Sequence, residues 1–394
     1  MNEIGDGALR ALDDFQIEIP SWGFANTGTR FGKFLQPAAA TSLEEKFADA
    51  AEVHALTGAT PQMALHVLWD LPGGIADTVK VRRLSERYGI RAGSINPNLF
   101  QSQEYKLGSV CNPDGGIRRR AIDHLVETVQ IAKELQSIDV SFWIADGSNY
   151  PGSQSIRQRI VWLEEAMAAT HAELAENQRM LIEYKPFEPA FYHTDIADWG
   201  MALHLAQSAG PKARVLVDTG HHYQSQNIEQ IVAWLLHLRL LGGFHFNDRR
   251  YADDDLTIGS IDPYQVFRIF HEILNEPDPP LRSQIAFMID QSHNLKGKLE
   301  AMVQTVMTAQ ELFLKAALVD RERLKELQAA GKIVEAEECL RAAFWTDVRP
   351  ALADWRIKRG LAPNPLEALA ASGYVERITR ERREKNAALA TSYA

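Results

Sequence analysis

The sequence predicts a single (β/α)8 barrel followed by a C-terminal helical extension. Eight short apolar runs alternate with longer stretches of helical period. Most of the runs are continuous rather than alternating in polarity, as parallel strands covered on both faces require. No GxGxxG motif follows an early run, which weighs against an open doubly wound sheet.

The first run is Trp22–Ala25, and the helix after it opens with a capping box, Ser42 at the cap and Glu45 three residues on. The second and third runs are Met63–Trp69 and Ile90–Ile95. A helix over Ala121–Leu135 leads to the fourth, Val140–Ile144. The basic run Arg118–Arg120 sits where that helix begins and reads as a solvated face. Gln158–Asn177 leads to Met180–Tyr184, Ala197–Ser208 to Arg214–Val217, Ile228–Arg239 to Gly243–Phe246, and Pro263–Leu274 to Gln284–Ile289. The barrel is thus expected to occupy residues 1–294. Residues 295–394 hold no good strand: Leu295–Ala330 reads as one or two long helices, and three or four shorter ones follow, punctuated by Gly331, Pro350, Gly360, Pro363, Pro365 and Gly373. This extension is expected to pack on the barrel or on a neighbouring subunit, with Arg377–Lys385 as an exposed face.

A net charge of -10 argues against a nucleic-acid or anionic-membrane partner, which needs clustered Lys and Arg. The two cysteines, Cys111 and Cys339, are far apart and lack a CxxC partner, so free thiols in a reducing compartment are expected. The N-terminus is acidic and reads as no signal peptide, and no window approaches the roughly 18 apolar residues of a membrane span. The expectation is a cytoplasmic protein.

Acids and histidines recur at the C-terminal ends of the runs, the rim where such barrels carry their active sites. The fifth run contains Glu183 near its end, the sixth leads into Asp218 with His221 close behind, the seventh contains His245, and the eighth leads into Asp290. The loop after the seventh supplies Asp253 and Asp255, with Asp254 facing away. Any one of these has a bland reading as a cap or a core histidine. Together they form a set of carboxylates and imidazoles suited to two divalent ions, and the absence of thiolates argues against a structural zinc site. The second and fourth runs bring His66, Trp69, Trp143 and Asp146, and Lys185 follows Glu183 by two. Indoles at a rim stack on a sugar's apolar face, and the other groups hydrogen-bond hydroxyls.

The segments FANTGTRFGKF, LHVLWD, SFWIADGSNYPGSQS, IEYKPFEPAFYHTD, VDTGHH, GGFHFNDRRYADDDLTIGSID and FMIDQSHN, spread in order over residues 20–300, resemble the L-rhamnose isomerase group of the xylose-isomerase-like barrels, in its broad-specificity bacterial form. That resemblance implies a metal-dependent aldose–ketose isomerase acting on a monosaccharide. It implies a structural ion on Glu183, Asp218, His245 and Asp290, and a catalytic ion on Glu183, His221, Asp253 and Asp255, with Glu183 bridging. His66, Trp143 and Lys185 would contact substrate, the ions would be Mn²⁺ or else Co²⁺ or Zn²⁺, and the assembly would be a homotetramer with Phe31 to Phe34 reaching a neighbour's pocket. LHVLWD lacks the Pro that often precedes the Trp, and the GSNYPG stretch varies in its Ser and Tyr. Both departures lie near the substrate and leave the preferred sugar open. A metal-dependent ketose 3-epimerase is the rival; it needs two glutamates on opposite sides of the sugar, and Glu183 alone is well placed.

Overall fold

A computed structural model of the protein describes residues 4–26, 34–187 and 192–390. Eight parallel strands follow one another in sequence order: β1 (Ile19–Pro20), β2 (Gln62–His66), β3 (Arg91–Asn96), β4 (Asp139–Trp143), β5 (Arg179–Glu183), β6 (Ala213–Asp218), β7 (Leu241–Phe246) and β8 (Ala286–Ile289). Glu18 N–H donates to Phe287 O at 2.8 Å and Ile289 N–H to Glu18 O at 2.9 Å, which joins the last strand to the first and closes the barrel. The main core lies between the strands and the surrounding helices. A small second cluster, Leu181, Leu216 and Met288, fills the inside of the barrel.

That inner cluster aims the site. Side chains alternate across a strand, so the residues two positions beyond Leu181, Leu216 and Met288 face inward as well, at the carboxyl rim. They are Glu183, Asp218 and Asp290. Gly243 stands two before His245, and a Cβ there would lie 2.7 Å from Ala286 O, so only glycine permits the close approach of β7 to β8.

The strand ends depart from the sequence expectation at two places. Trp22–Ala25 is not a strand: Ser21–Phe24 is a 3-10 turn, and β1 ends at Pro20, whose missing N–H cannot extend a ladder. β2 stops at His66, and Val67–Asp70 turns helical, with Asp70 Oδ2 accepting from His66 N–H at 2.8 Å. The helix Thr78–Tyr88 had no counterpart in the apolar spacing, because it buries only Thr78, Val81 and Leu84. Side-chain caps open the helices that follow the later strands, Ser155 on Gln158 N–H, Asp198 on Gly200 N–H and Asp262 on Gln265 N–H. Ser42 caps Leu43–Thr57, but Glu45 returns its bond to Thr41 N–H rather than to the cap itself.

Beyond β8 come Lys298–Ala317, Arg321–Ala329, Ile333–Trp345, Arg349–Ile357, Pro365–Ser372 and Tyr374–Ala390. Phe313 of the first of these packs against Phe15, Phe270 and Phe287 of the barrel. The charge run Arg377–Lys385 is not wholly exposed, as the sequence suggested. Arg382 is 3% exposed and forms a two-pronged ion pair with buried Asp49 at 2.7 and 2.9 Å. Both cysteines are free thiols, and among the described residues no helix is long and apolar enough to cross a membrane.

Candidate metal centre

Two groups of side chains at the carboxyl rim each bring their ligand atoms within 4.8 Å of one another: Glu183, Asp218, His245 and Asp290, and Asp218, His221 and Asp253. The first is the set the resemblance implied for a structural ion. In the second the shared residue is Asp218, where Glu183 was the expected bridge. Glu183 stays close to both: its Oε1 lies 3.2 Å from His245 Nδ1 and 3.3 Å from His221 Nδ1. Asp255 joins neither group. It lines the neighbouring pocket and holds a left-handed backbone, φ 47°, unusual for a residue with a Cβ.

The side chains of both groups are oriented by their own neighbours, as a metal site requires. Asp218 Oδ1 accepts from Gly220 N–H at 2.7 Å and from Asn247 Nδ2 at 3.0 Å. Its Oδ2 is buried without a hydrogen-bond donor among the described residues, in the position from which a cation would be bound. His221 Nδ1 lies 2.9 Å from Tyr184 O, which turns Nε2 toward Asp253 Oδ2 at 3.2 Å. Trp22 Nε1 donates to Asp290 Oδ1 at 2.8 Å. This donor set of carboxylate oxygens and imidazoles, with an orphaned carboxylate oxygen at its centre, fits divalent ions.

Burial opposes protonation of His245, but Glu183, then Asp290 and Asp218, outweigh it and raise the imidazole to about 10. Burial likewise opposes protonation of His221, and Asp218 and Asp253 lift it to about 9. Burial pushes Asp218 up to about 7, helped by Asp253 and Glu183. Glu183 moves the other way: His245 and His221 overcome its burial and hold it below the usual range. Without a metal, the surrounding carboxylates thus favour the charged form of both buried imidazoles.

A pocket opens on this cluster. Its far wall is aromatic: His66 and Trp69 rings are 4.2 Å apart, Phe100 and Trp143 5.0 Å. Burial drives His66 down to about 3, and its Nδ1 accepts from Leu68 N–H, so the neutral ring carries its proton on Nε2. Lys185 is buried rather than a solvated rim residue; its Nζ donates to Asp253 Oδ2 at 2.6 Å and lies 5.0 Å from the Trp143 ring centre. Ser141 Oγ and Trp143 Nε1 are buried without hydrogen-bond partners among the described residues, two polar atoms suited to a polar ligand.

Asp146 is not brought to the pocket. Its oxygens accept from Ser109 N–H and Oγ and from Cys111 N–H at 2.7–2.8 Å, so it shapes a loop beside the site. Asp254 also stays out, accepting from Arg250 and Tyr251 N–H. Of the Phe31 to Phe34 segment, residues 31–33 lie outside the described residues. Sequence reasoning missed Trp22, Phe100, Ser141 and Asn247. Trp22 was hidden by its assignment to a strand; Ser141, which lines the pocket two before Trp143, and Asn247, which holds Asp218 from two after His245, could have been found from the period of two.

An eight-stranded α/β barrel with a carboxylate–imidazole cluster at its carboxyl rim defines a class of proteins with a candidate metal centre in a pocket. The chain belongs to the xylose isomerase-like TIM barrel family, whose model matches residues 59–275. A Rhizobium meliloti protein described as a probable sugar isomerase is 39% identical over 386 residues, which is 96% of this chain and 88% of that one. The L-rhamnose isomerase of Bacteroides thetaiotaomicron is 22% identical over 349 residues, 82% of this chain and 81% of that one. A solved D-allulose 3-epimerase from a Methylomonas species, 13% identical, superposes with a TM-score of 0.54 over 76% of this chain and 98% of its own, a likeness that shows the fold alone.

Proposed function

We propose that the protein is a divalent-metal-dependent aldose–ketose isomerase that interconverts L-rhamnose and L-rhamnulose or closely related sugars. The observation that carries this reading is the pair of ligand groups sharing Asp218 and opening on an aromatic-walled pocket. The relative described as a probable sugar isomerase supports the reaction class, and the more distant L-rhamnose isomerase supports the sugar.

Glu183, Asp218, His245 and Asp290 would hold one ion and Asp218, His221 and Asp253 the other, with Asp255 beside them. Bound Mn²⁺, Co²⁺ or Zn²⁺ supplies Lewis acidity toward sugar oxygens. The reaction moves a hydrogen between C1 and C2 and a proton between O1 and O2. In this reading Asp253 would take a hydroxyl proton, and Lys185, which is ion-paired to it, would donate to a sugar oxygen as charge develops there. His66 Nε2–H and the Trp143 indole N–H would offer neutral donors to hydroxyls, while Trp69 and Phe100, which line the pocket, would keep water from the reacting carbons. A homotetramer in the cytoplasm is part of the same proposal.

Metal-stripped protein tested on a panel of aldoses, with each metal restored in turn, decides the reading. Metal-dependent formation of the matching ketose is expected, fastest with Mn²⁺. Ketose 3-epimers as the product, or no conversion with any metal, would overturn it. Deuterium at C2 separates the two chemical routes, since wash-out into solvent excludes a pure hydride shift.

A further inference from the structure

We infer that Arg249, with Asp248 before it, is a positioning residue that assembles the second of the two ion sites. This rests on the two-ion reading above and adds to it a device outside the ligand sets. The two residues follow β7 with only Asn247 between, and each grips one of the loops that deliver Asp218's partners in that site, His221 and Asp253.

Arg249 is 6% exposed, and its guanidinium is spent on backbone oxygens. Nη1 donates to Thr219 O at 2.8 Å, Nε to His222 O at 2.6 Å and Nη2 to Tyr223 O at 3.1 Å, with a longer contact from Nη1 to Gln265 Oε1 at 3.4 Å. The three carbonyls flank His221 on both sides in sequence. The loop's own backbone ties are few: His221 N–H reaches Asp218 O at 3.2 Å and Gln226 N–H reaches Tyr223 O at 3.1 Å. Thr219 N–H on His245 O at 3.0 Å and His221 Nδ1 at Tyr184 O tie the loop's start to the sheet, and the Arg249 fork, with donors in fixed directions, holds its carbonyls on both sides of His221. Ligand atoms must stand within about 0.2 Å of the right distance to hold an ion, which makes such a fork consequential.

Asp248 acts on the other loop. It is 5% exposed, and its backbone pairs with Leu256 in both directions, N–H to O at 2.8 and 2.9 Å. Its carboxylate accepts from Arg249 N–H at 2.9 Å, Ile261 N–H at 2.8 Å and Asp262 N–H at 3.0 Å. The chain between residues 248 and 256 is closed into a loop whose ends are fixed, and that loop carries Asp253 and Asp255. The first ion site leans on the sheet instead. Glu183 and Asp218 close β5 and β6, His245 lies within β7, and Asp290, one residue past β8, is tied to β7 by its N–H on Phe246 O at 3.2 Å.

The test is calorimetric titration of metal-stripped wild type, R249K, R249M and H221A with Mn²⁺. Wild type is expected to take up two ions. R249K keeps charge and length but loses the fork, and its affinity for one ion is expected to fall about 10- to 100-fold while the other is unchanged. R249M is expected to lose more, in the pattern H221A shows. If a folded R249K or R249M binds both ions with wild-type affinity, or loses both to the same extent, the inference is overturned. R249K alone decides if R249M does not fold. Wild type taking up fewer than two ions would instead sink the two-ion reading and this inference with it.

Discussion

Asp218 is the side chain on which the proposed centre depends most, because it belongs to both candidate ligand groups, and its Oδ2 is buried without a donor among the described residues while Gly220 and Asn247 fix its other oxygen. Asp218→Asn is expected to abolish uptake of both ions, whereas Asp290→Asn removes one; metal content by mass spectrometry after reconstitution separates the two. The histidines set the pH dependence. Without metal, His221 is raised to about 9 and His245 to about 10, above the ordinary imidazole value of 6.5. Their charged forms contribute stability that is fully present below pH 6.5 and is lost as pH rises through 9 to 10. A metal needs both rings neutral, so its apparent affinity should climb with pH up to that range, and loading at pH 7 should release protons, measurable by calorimetry in buffers of different ionisation enthalpy. Affinity that is flat between pH 6 and 9 would show that the imidazoles are not ligands. At this scale the sequence was informative about position, since Glu183 and Asp218 do close their strands at the carboxyl rim. It was misleading for Asp146, whose proximity to Trp143 in sequence gave no hint that three donors from a distant loop occupy it.

The C-terminal helix Tyr374–Ala390 acts as a clasp on the N-terminal part of the chain. Beside the Arg382–Asp49 pair, Arg382 donates to Ala38 O, and Asn386 Nδ2 donates to Pro37 O and Ala39 O. The segment it holds contains Gln36, whose Nε2 in turn donates to the carbonyls of His293, Asn294 and Lys296 after β8. Breaking a buried pair leaves an uncompensated charge, so Arg382→Met should cost about 3–5 kcal/mol. Arg383→Met, on the exposed side of the same helix, should stay within about 0.5 kcal/mol. Urea unfolding of the two variants checks this, and equal midpoints would dissolve the clasp. The long helices were legible in the sequence because their apolar period is strong. Thr78–Tyr88 was not, since its outer face is nearly all charged, and the role of Arg382 was hidden in a run that reads as solvated.

The molecule as a whole carries ionisable groups at both ends of its barrel. At the end away from the metal centre, Glu18 precedes β1 and accepts from Ser94 N–H and Oγ and from Gln62. Burial raises it to about 7 in spite of those bonds. A carboxyl raised in the folded state stabilises through its protonated form, fully below the unfolded value near 4.5, and that contribution is lost as pH climbs through 7. Glu18→Gln should therefore gain on wild type by roughly 1–3 kcal/mol between pH 5 and pH 8, read from denaturation midpoints at both. A constant difference across that range would mean that Glu18 titrates normally.

By itself the sequence determined the barrel, its order of strands and the ring of acids and histidines at its rim, because apolar runs, helical spacing and strand-end position are local properties of a chain. Only the tertiary structure decided that Asp218 is common to both candidate ligand groups, that Asp255 stands at the pocket wall, and that Arg249 grips the loop of His221. Those outcomes depend on where a closed sheet brings separate loops together, and on which donors already occupy each oxygen, and neither is written in the spacing of residues along the chain.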